Sequence, residues 1–274
     1  MKSTDICLND QVAFITGAAN GIGEGIATSL ARFGAHIAIA DIDRENGERV
    51  ATAIRELGRE ALFIETDVND TDQISLAIDA VATRFGRLDI LVNNAGGVRK
   101  QPFLDQSERS WRKHIDFNFI STLCATQAGA KLMIDGKRGG TIINIASSEG
   151  LRAAPEFAVY AACKAAIINF TRTMALELSG HGIRVHALAP DMIATKGLQA
   201  FFDAQGEAGR IARDHYIPMQ RLGSVEEIGS VAVFLASKMS SYLTGLTIPV
   251  DAGVHASSGW SRSVRTGEWN LHHW

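Results

Sequence analysis

The sequence predicts an α/β protein built as one doubly wound parallel sheet with helices on both faces. Three observations predict it. Short apolar runs alternate with helix-period segments along the chain, a glycine cluster joins the first run to the first helix, and chemistry-bearing residues fall just after successive runs. Strand-like runs occupy 12–16, 36–40, 61–66, 89–93, 141–146, 184–189 and 246–250. Helix-period segments occupy 21–33, 44–57, 71–85, 107–135, 157–179 and 224–236. Alternation of this kind implies parallel strands joined by right-handed crossovers. At 274 residues and 46% hydrophobic content, residues 1–274 suffice for one such domain.

The first run, Val12-Ala13-Phe14-Ile15-Thr16, leads straight into Gly17-Ala18-Ala19-Asn20-Gly21-Ile22-Gly23, after which Ile22, Ile26, Leu30 and Phe33 recur at helical spacing. Strand, glycine turn and helix in that order suit a pyrophosphate. Glycine admits the phosphates close to the backbone, and a helix N-terminus offers free N–H groups and a positive dipole end. The second run ends at Asp41, near the distance at which an acidic residue meets the adenosine ribose. A carboxylate there accepts bonds from ribose hydroxyls and repels a 2′-phosphate, so NAD is the expected cofactor. Asn20 and Ile42 agree, since neither offers a cation to an extra phosphate.

The fourth run closes on Asn93-Asn94-Ala95-Gly96, Ser147 follows the fifth and Pro190 follows the sixth, all at the edge where ligands of doubly wound sheets lie. Thirteen residues beyond Ser147 stands Tyr160, and Lys164 follows it by one helical turn. Alcohol oxidation needs a base within reach of the hydroxyl as hydride leaves the carbinol carbon. Tyr160 is the expected base, with Ser147 holding the substrate oxygen. Lys164 is expected to lower the tyrosine pKa and to bind the nicotinamide ribose.

These residues resemble the short-chain dehydrogenase/reductase family in its classical branch. The matching positions are Thr16-Gly17-Ala18-Ala19-Asn20-Gly21-Ile22-Gly23, Asp67-Val68, Asn93-Asn94-Ala95-Gly96, Asn118, Ser147, Tyr160 and Lys164, spread over residues 8 to 253. The resemblance implies a seven-stranded Rossmann sheet. It implies that Asp67 and Val68 flank the adenine, that Asn94 to Gly96 pack along the cofactor, and that Asn118 completes a catalytic tetrad by holding a water that links the lysine to solvent. After the sixth run the family's usual Pro-Gly is here Pro190-Asp191, followed by Met192-Ile193-Ala194-Thr195. Pro190, Ile193 and Thr195 are expected at the cofactor. The Asp191 carboxylate is expected to favour the positively charged oxidised nicotinamide.

Residues 195–220, with Leu198, Phe201, Phe202, Ile211 and Tyr216, form an insertion expected to act as a substrate lid. Its apolar content favours a lipophilic or cyclic secondary alcohol such as a hydroxysteroid. A 3-oxoacyl thioester, a sugar or a polyol remains an alternative, as do a non-redox epimerase and a cofactor-binding regulatory protein. Phe157, Val159, Phe170, Met174, Leu123, Leu132 and Met133 give the helices at 107–135 and 157–179 an apolar excess. In relatives those helices pair across a two-fold axis, which implies a homo-oligomer, a homotetramer first. Residues 254–274 extend past the usual family end and hold three of the four tryptophans, so the extension is expected to pack on a neighbouring subunit.

A net charge of −3 and a pI near 6.2 give no basic surface for nucleic acid. Without a signal-like start or roughly 18 consecutive apolar residues, the chain is expected to be cytoplasmic and off the membrane. Cys7, Cys124 and Cys163 are few and far apart, and the histidines, including the His272-His273 pair, are not spaced as ligands, so no disulfide and no metal is expected.

Overall fold

The computed structural model describes residues 2–263 and 266–271. Seven parallel strands form one sheet: β1 (Val12–Thr16), β2 (His36–Asp41), β3 (Ala61–Glu65), β4 (Ile90–Asn93), β5 (Gly140–Ile145), β6 (Ile183–Pro190) and β7 (Thr247–Val250), in spatial order 3-2-1-4-5-6-7. Every pairing is parallel, as where Val12 to Thr16 register with His36 to Ala40. The order reverses between β1 and β4, and that switch point opens a crevice at the C-terminal strand ends. All five residues of β1 and all four of β4 are buried, as expected of central strands covered on both faces.

The crossovers are α1 (Gly21–Arg32), α2 (Arg44–Glu56), α3 (Thr71–Phe85), α4 (Glu108–Ile115) with α5 (Ser121–Gly136), α6 (Ala158–Glu177) and α8 (Val225–Ala236). Their starts are written in the sequence. Asp43 caps α2, Asp70 caps α3, and Ser224 with Glu227 forms a reciprocal capping box on α8. One apolar layer joins α1, α2 and α8 to one sheet face, with Ile26, Leu30, Ile54, Ile228 and Leu235 fully buried. On the other face Phe14, Ile74, Leu91 and Ile142 pack under α3 and α5. Each of these side chains contributes roughly 1.5–3 kcal/mol by leaving water.

Two elements differ from the sequence reading. The helix expected over 107–135 is interrupted between α4 and α5 by a π-helical turn, Asp116–Ile120, which carries Asn118 inward to complete burial. The insertion after β6 is helical: α7 (Lys196–Tyr216) runs through it, broken at Gly206, where φ is 58° and ψ is −141°. Past β7 the chain forms a short helix, α9 (Val254–Ser257), and a hairpin of β8 (Ser261–Arg262) with β9 (Trp269–Asn270). His272, His273 and Trp274 lie outside the described residues. Part of the apolar excess ascribed to the long helices is used within the chain. Met133 and Met174 join the core, Phe170 meets Phe119 edge to face with centroids 6.3 Å apart, and Phe157 borders the crevice. Cys7, Cys124 and Cys163 are free thiols. Among the described residues no helix is long and apolar enough to cross a membrane.

Buried polar groups tie the sheet centre together. Asn93 donates to Asn144 (2.7 Å) and Thr126 (2.9 Å), and Asn144 donates to Thr171 (2.9 Å), fastening β4 and β5 to α5 and α6. His186 in β6 is fully buried, and neither ring nitrogen has a hydrogen bond of ordinary geometry. Burial, aided by the Arg184 charge and only partly offset by the Leu243 backbone, holds its pKa down at about 4. Between the ordinary histidine value of 6.5 and about 4 the unfolded chain therefore binds a proton that the folded chain refuses. Stability falls as pH drops through that window, by on the order of 2 kcal/mol from this group. Urea unfolding between pH 7 and 4 will show a shallower acid slope in His186→Leu than in the wild type. Parallel curves would refute the assignment.

Candidate active site

A cleft of about 1200 Å³ runs along the C-terminal strand ends. It is lined by Gly17, Asn20, Gly21 and Ile22 after β1, Asp41 and Ile42 at β2, and Asp67 and Val68 after β3. Asn94, Ala95 and Gly96 after β4, Ser147 after β5, and Pro190, Ile193 and Thr195 after β6 continue the lining, with Tyr160 and Lys164 from α6. Of the residues expected at the site, Gly23 and Asn118 are not in the lining.

Gly23 lies beneath the glycine turn. A Cβ there would stand 2.2 Å from the Gly17 carbonyl oxygen and 2.5 Å from Asn94 Nδ2, so its place in the motif comes from close packing and not from contact across the cleft. Gly21, at φ 59°, borders the opening, and a Cβ on it would sit 3.4 Å from the Thr195 methyl. Thr195 is the N-cap of α7, so the N-termini of α1 and α7 face each other across this gap. Thr16, which ends β1, fixes the neighbouring wall: its hydroxyl accepts from the Asn94 and Ala95 N–H groups, both at 3.0 Å. Asn94 returns bonds to the Thr16 and Gly17 carbonyls at 2.9 and 2.8 Å.

Asp41 is clamped by backbone. Its carboxylate accepts from the Ala19 N–H (2.9 Å) and the Asp43 N–H (3.0 Å), which holds a negative charge at one end of the cleft. The cations that line the cleft, among the described residues, are Lys113, Lys164 and Lys196.

At the other end Ser147 follows β5, and its hydroxyl accepts from the Glu149 N–H at 3.2 Å. Ser147 borders the cleft, whereas the adjacent Ser148 is buried without a partner for its hydroxyl, so the strand exit separates the two. Tyr160 and Lys164 lie one turn apart on α6, with the ammonium 5.6 Å from the phenol ring centre. Lys164 Nζ donates to the Ile145 carbonyl (2.8 Å), and burial draws its pKa down to about 8. The expectation that the tyrosine pKa is lowered does not hold in this geometry. Burial pushes the phenol above its ordinary value, a bond from Ser147 opposes this in part, and the charges of Glu149 and Asp191 add to the rise. The ammonium's bond goes to the Ile145 carbonyl and not to the phenol oxygen.

Asn118 acts from behind the cleft. Its side chain accepts from the Gly97 N–H (3.0 Å) and donates to the Gly97 and His114 carbonyls (both 3.0 Å). One amide hydrogen clamps the loop after β4 through Gly97, and the other ties back to His114 on α4. A Cβ on Gly96 would meet Asn118 Oδ1 at 2.8 Å and Lys164 Nζ at 3.2 Å, so the two side chains flank one glycine.

A charged group near the Tyr160 end escaped the sequence reading. Arg152 donates to Glu149 (2.8 Å) and Asp191 (3.1 Å), and the Tyr216 hydroxyl from the end of α7 donates to Asp191 (2.6 Å). Burial opposes the Arg152 charge, yet its bonds to Glu149 and Tyr216 keep its pKa above the ordinary value. Asp191 is pushed up by burial, opposed by Tyr216 and Arg152. The carboxylate expected to act on the nicotinamide charge is therefore paired with a guanidinium that it shares with Glu149. Of the insertion's apolar side chains, Leu198 lines the cleft. Phe201 and Phe202 pack on each other, with centroids 5.4 Å apart, and Tyr216 turns to Asp191.

A doubly wound sheet with this arrangement at its switch point defines a dinucleotide-dependent oxidoreductase. The family model described as Enoyl-(Acyl carrier protein) reductase matches residues 17–255. Galactitol 2-dehydrogenase of Agrobacterium fabrum is 38% identical over 255 residues, covering 90% of this chain and 98% of that protein. A crystal structure of a short-chain type dehydrogenase/reductase from Mycobacterium marinum superposes with a TM-score of 0.84 at 35% identity, covering 91% of this chain and 97% of the other. A 7α-hydroxysteroid dehydrogenase complexed with NADH and 7-oxo glycochenodeoxycholic acid superposes with a TM-score of 0.85 at 31% identity, over 92% and 97% of the two chains. The chain belongs to the short-chain dehydrogenase/reductase family.

Proposed function

We propose that the protein interconverts a secondary alcohol and a ketone with NAD(H), using Tyr160 as the proton-transfer group. The observation that carries this is the convergence of Ser147, Tyr160 and Lys164 on one end of a cleft whose other end holds Asp41. The residues fit a dinucleotide. The facing N-termini of α1 and α7 suit a pyrophosphate, with the gap at Gly21 kept open by its missing Cβ. The Asp41 carboxylate suits ribose hydroxyls, and each of its oxygens retains a lone pair beyond the backbone bond it accepts. A bound nicotinamide supplies hydride acceptance in oxidation and hydride donation in reduction.

Ser147 donates to the substrate oxygen and keeps it beside Tyr160. In oxidation Tyr160 removes the hydroxyl proton; in reduction its phenol returns it. Lys164 holds positive charge under the site and offers its ammonium to ribose hydroxyls. Asn118 positions Gly96 and Gly97, and with both amide hydrogens engaged, its main-chain carbonyl is the group we assign to any water linking Lys164 to solvent. The lid reading keeps α7 over the cleft, but a lipophilic substrate loses its main support because Phe201 and Phe202 are not in the cleft lining.

Absorbance of NADH during incubation with NAD and a panel of secondary alcohols tests the reading. Net NADH formation is expected. An epimerase returns its hydride and a regulatory protein transfers none, so a flat trace across the panel, with substrate epimerised or untouched, overturns it.

A further inference from the structure

The Arg152 group reaches beyond proton transfer. Glu149 and Asp191 both line the cleft beside Ser147 and Tyr160, while Arg152 and Tyr216, which hold them, stand behind the lining. The Glu149 N–H is bound to the Ser147 hydroxyl, and Arg152 holds the Glu149 carboxylate, so backbone and side chain of Glu149 are both tied near the residue that receives the substrate oxygen. Arg152 uses one oxygen of each acid: Oε1 of Glu149, and Oδ2 of Asp191, which also receives Tyr216. Among the described residues no donor reaches Glu149 Oε2 or Asp191 Oδ1. The Asp191 side chain is only 8% exposed. Neither oxygen is sealed from solvent, so water reaches both in the free protein and a ligand hydroxyl would take that water's place.

We propose that Glu149 and Asp191, set in place by Arg152, read hydroxyl groups of the substrate, and that the substrate is an uncharged polyhydroxylated alcohol or its keto form. The inference rests on the reading of Tyr160 as the proton-transfer group. Two carboxylates against one guanidinium leave a net charge of about −1 at this wall, which disfavours carboxylate and phosphate substrates. An apolar ring or acyl chain placed here would strip water from two acceptors and return no donor. A polyol brings several donors at once. A hydroxyl on a carbon next to the reacting one would lie toward Glu149, the residue joined to Ser147. The same acids sit close enough to Tyr160 for their charge to raise its pKa, in keeping with a position beside the reacting carbon.

The test compares kcat/KM with NAD for four- to six-carbon alditols, 2-butanol, cyclohexanol, a hydroxysteroid, a 3-hydroxyacyl thioester and a secondary amino alcohol. The best alditol is expected to exceed the monofunctional alcohols by roughly a hundredfold or more. In Glu149→Ala and in Asp191→Ala that ratio falls about tenfold or more, chiefly through KM, with thermal melting used to select folded protein. Glu149→Gln, which keeps an acceptor oxygen, restores part of the ratio. Preference for the steroid, the thioester, the amino alcohol or a monofunctional alcohol overturns the proposal, as does a ratio unmoved in the folded variants. If no compound is oxidised, calorimetric titration of a hexitol into enzyme with NADH separates the two readings. Binding that is lost in Glu149→Ala upholds the hydroxyl-reading wall and sinks the redox reading, while no binding sinks the wall.

Discussion

Replacing Tyr160 with phenylalanine lowers kcat by about a thousandfold, the scale at which a positioned acid or base contributes, and leaves NADH affinity within about threefold. The substitution removes one oxygen and keeps the ring that packs beside Lys164. Stopped-flow turnover and fluorescence titration of NADH check the two halves. Activity surviving within tenfold would assign proton transfer to another group. The same geometry sets the pH response. Because burial holds the phenol above its ordinary pKa, the phenolate fraction is small at neutral pH and grows as pH rises. Alcohol oxidation therefore accelerates with pH across the neutral and mildly alkaline range, whereas ketone reduction, which uses the phenol, gains nothing from alkali. Lys164, drawn down to about 8, loses its charge within that range.

The parts of this site that were legible in the sequence are those fixed by neighbours in the chain. Four apolar residues and Thr16 before Gly17 make β1 whichever way the rest folds, and four residues of helix set Tyr160 over Lys164. Asp41 follows the same logic, since a strand end and its last side chain are local facts. What failed was side-chain direction over long separations. Arg152 meets Asp191 and Tyr216 across 39 and 64 residues, and no periodicity in 149–152 marks that meeting. The aromatic content of 195–220 was visible, but which way Phe201 and Phe202 turn depends on the course of α7, which breaks at Gly206. The π turn at Asn118 is of the same kind. Its extra residue is stabilised by bonds to Gly97, twenty-one positions away, and propensity within 107–135 carries no trace of it.

The NAD preference we propose rests on a carboxylate held by the backbone. Two backbone N–H groups at 2.9 and 3.0 Å hold Asp41, so a 2′-phosphate on the adenosine ribose would face a fixed negative charge. Like charges about 4 Å apart in a partly buried site repel by about 4 kcal/mol, roughly a thousandfold in affinity. Rearrangement could relieve this only by breaking the bonds that close the turn between Ala19 and Asp43. The arginines nearest in sequence pair with other acids, Arg44 with Glu65 and Arg49 with Glu24, and neither lines the cleft. We expect kcat/KM for NAD to exceed that for NADP by a hundredfold or more. Asp41→Asn, which keeps an oxygen for the Ala19 N–H, should bring the ratio within about tenfold, mainly by improving NADP. The asparagine removes the charge and gives up the acceptor of the Asp43 N–H, so with the fold shown intact an unchanged ratio means that repulsion is not what selects the cofactor. Equal use of NADP by the unmodified protein would refute the assignment of Asp41 outright.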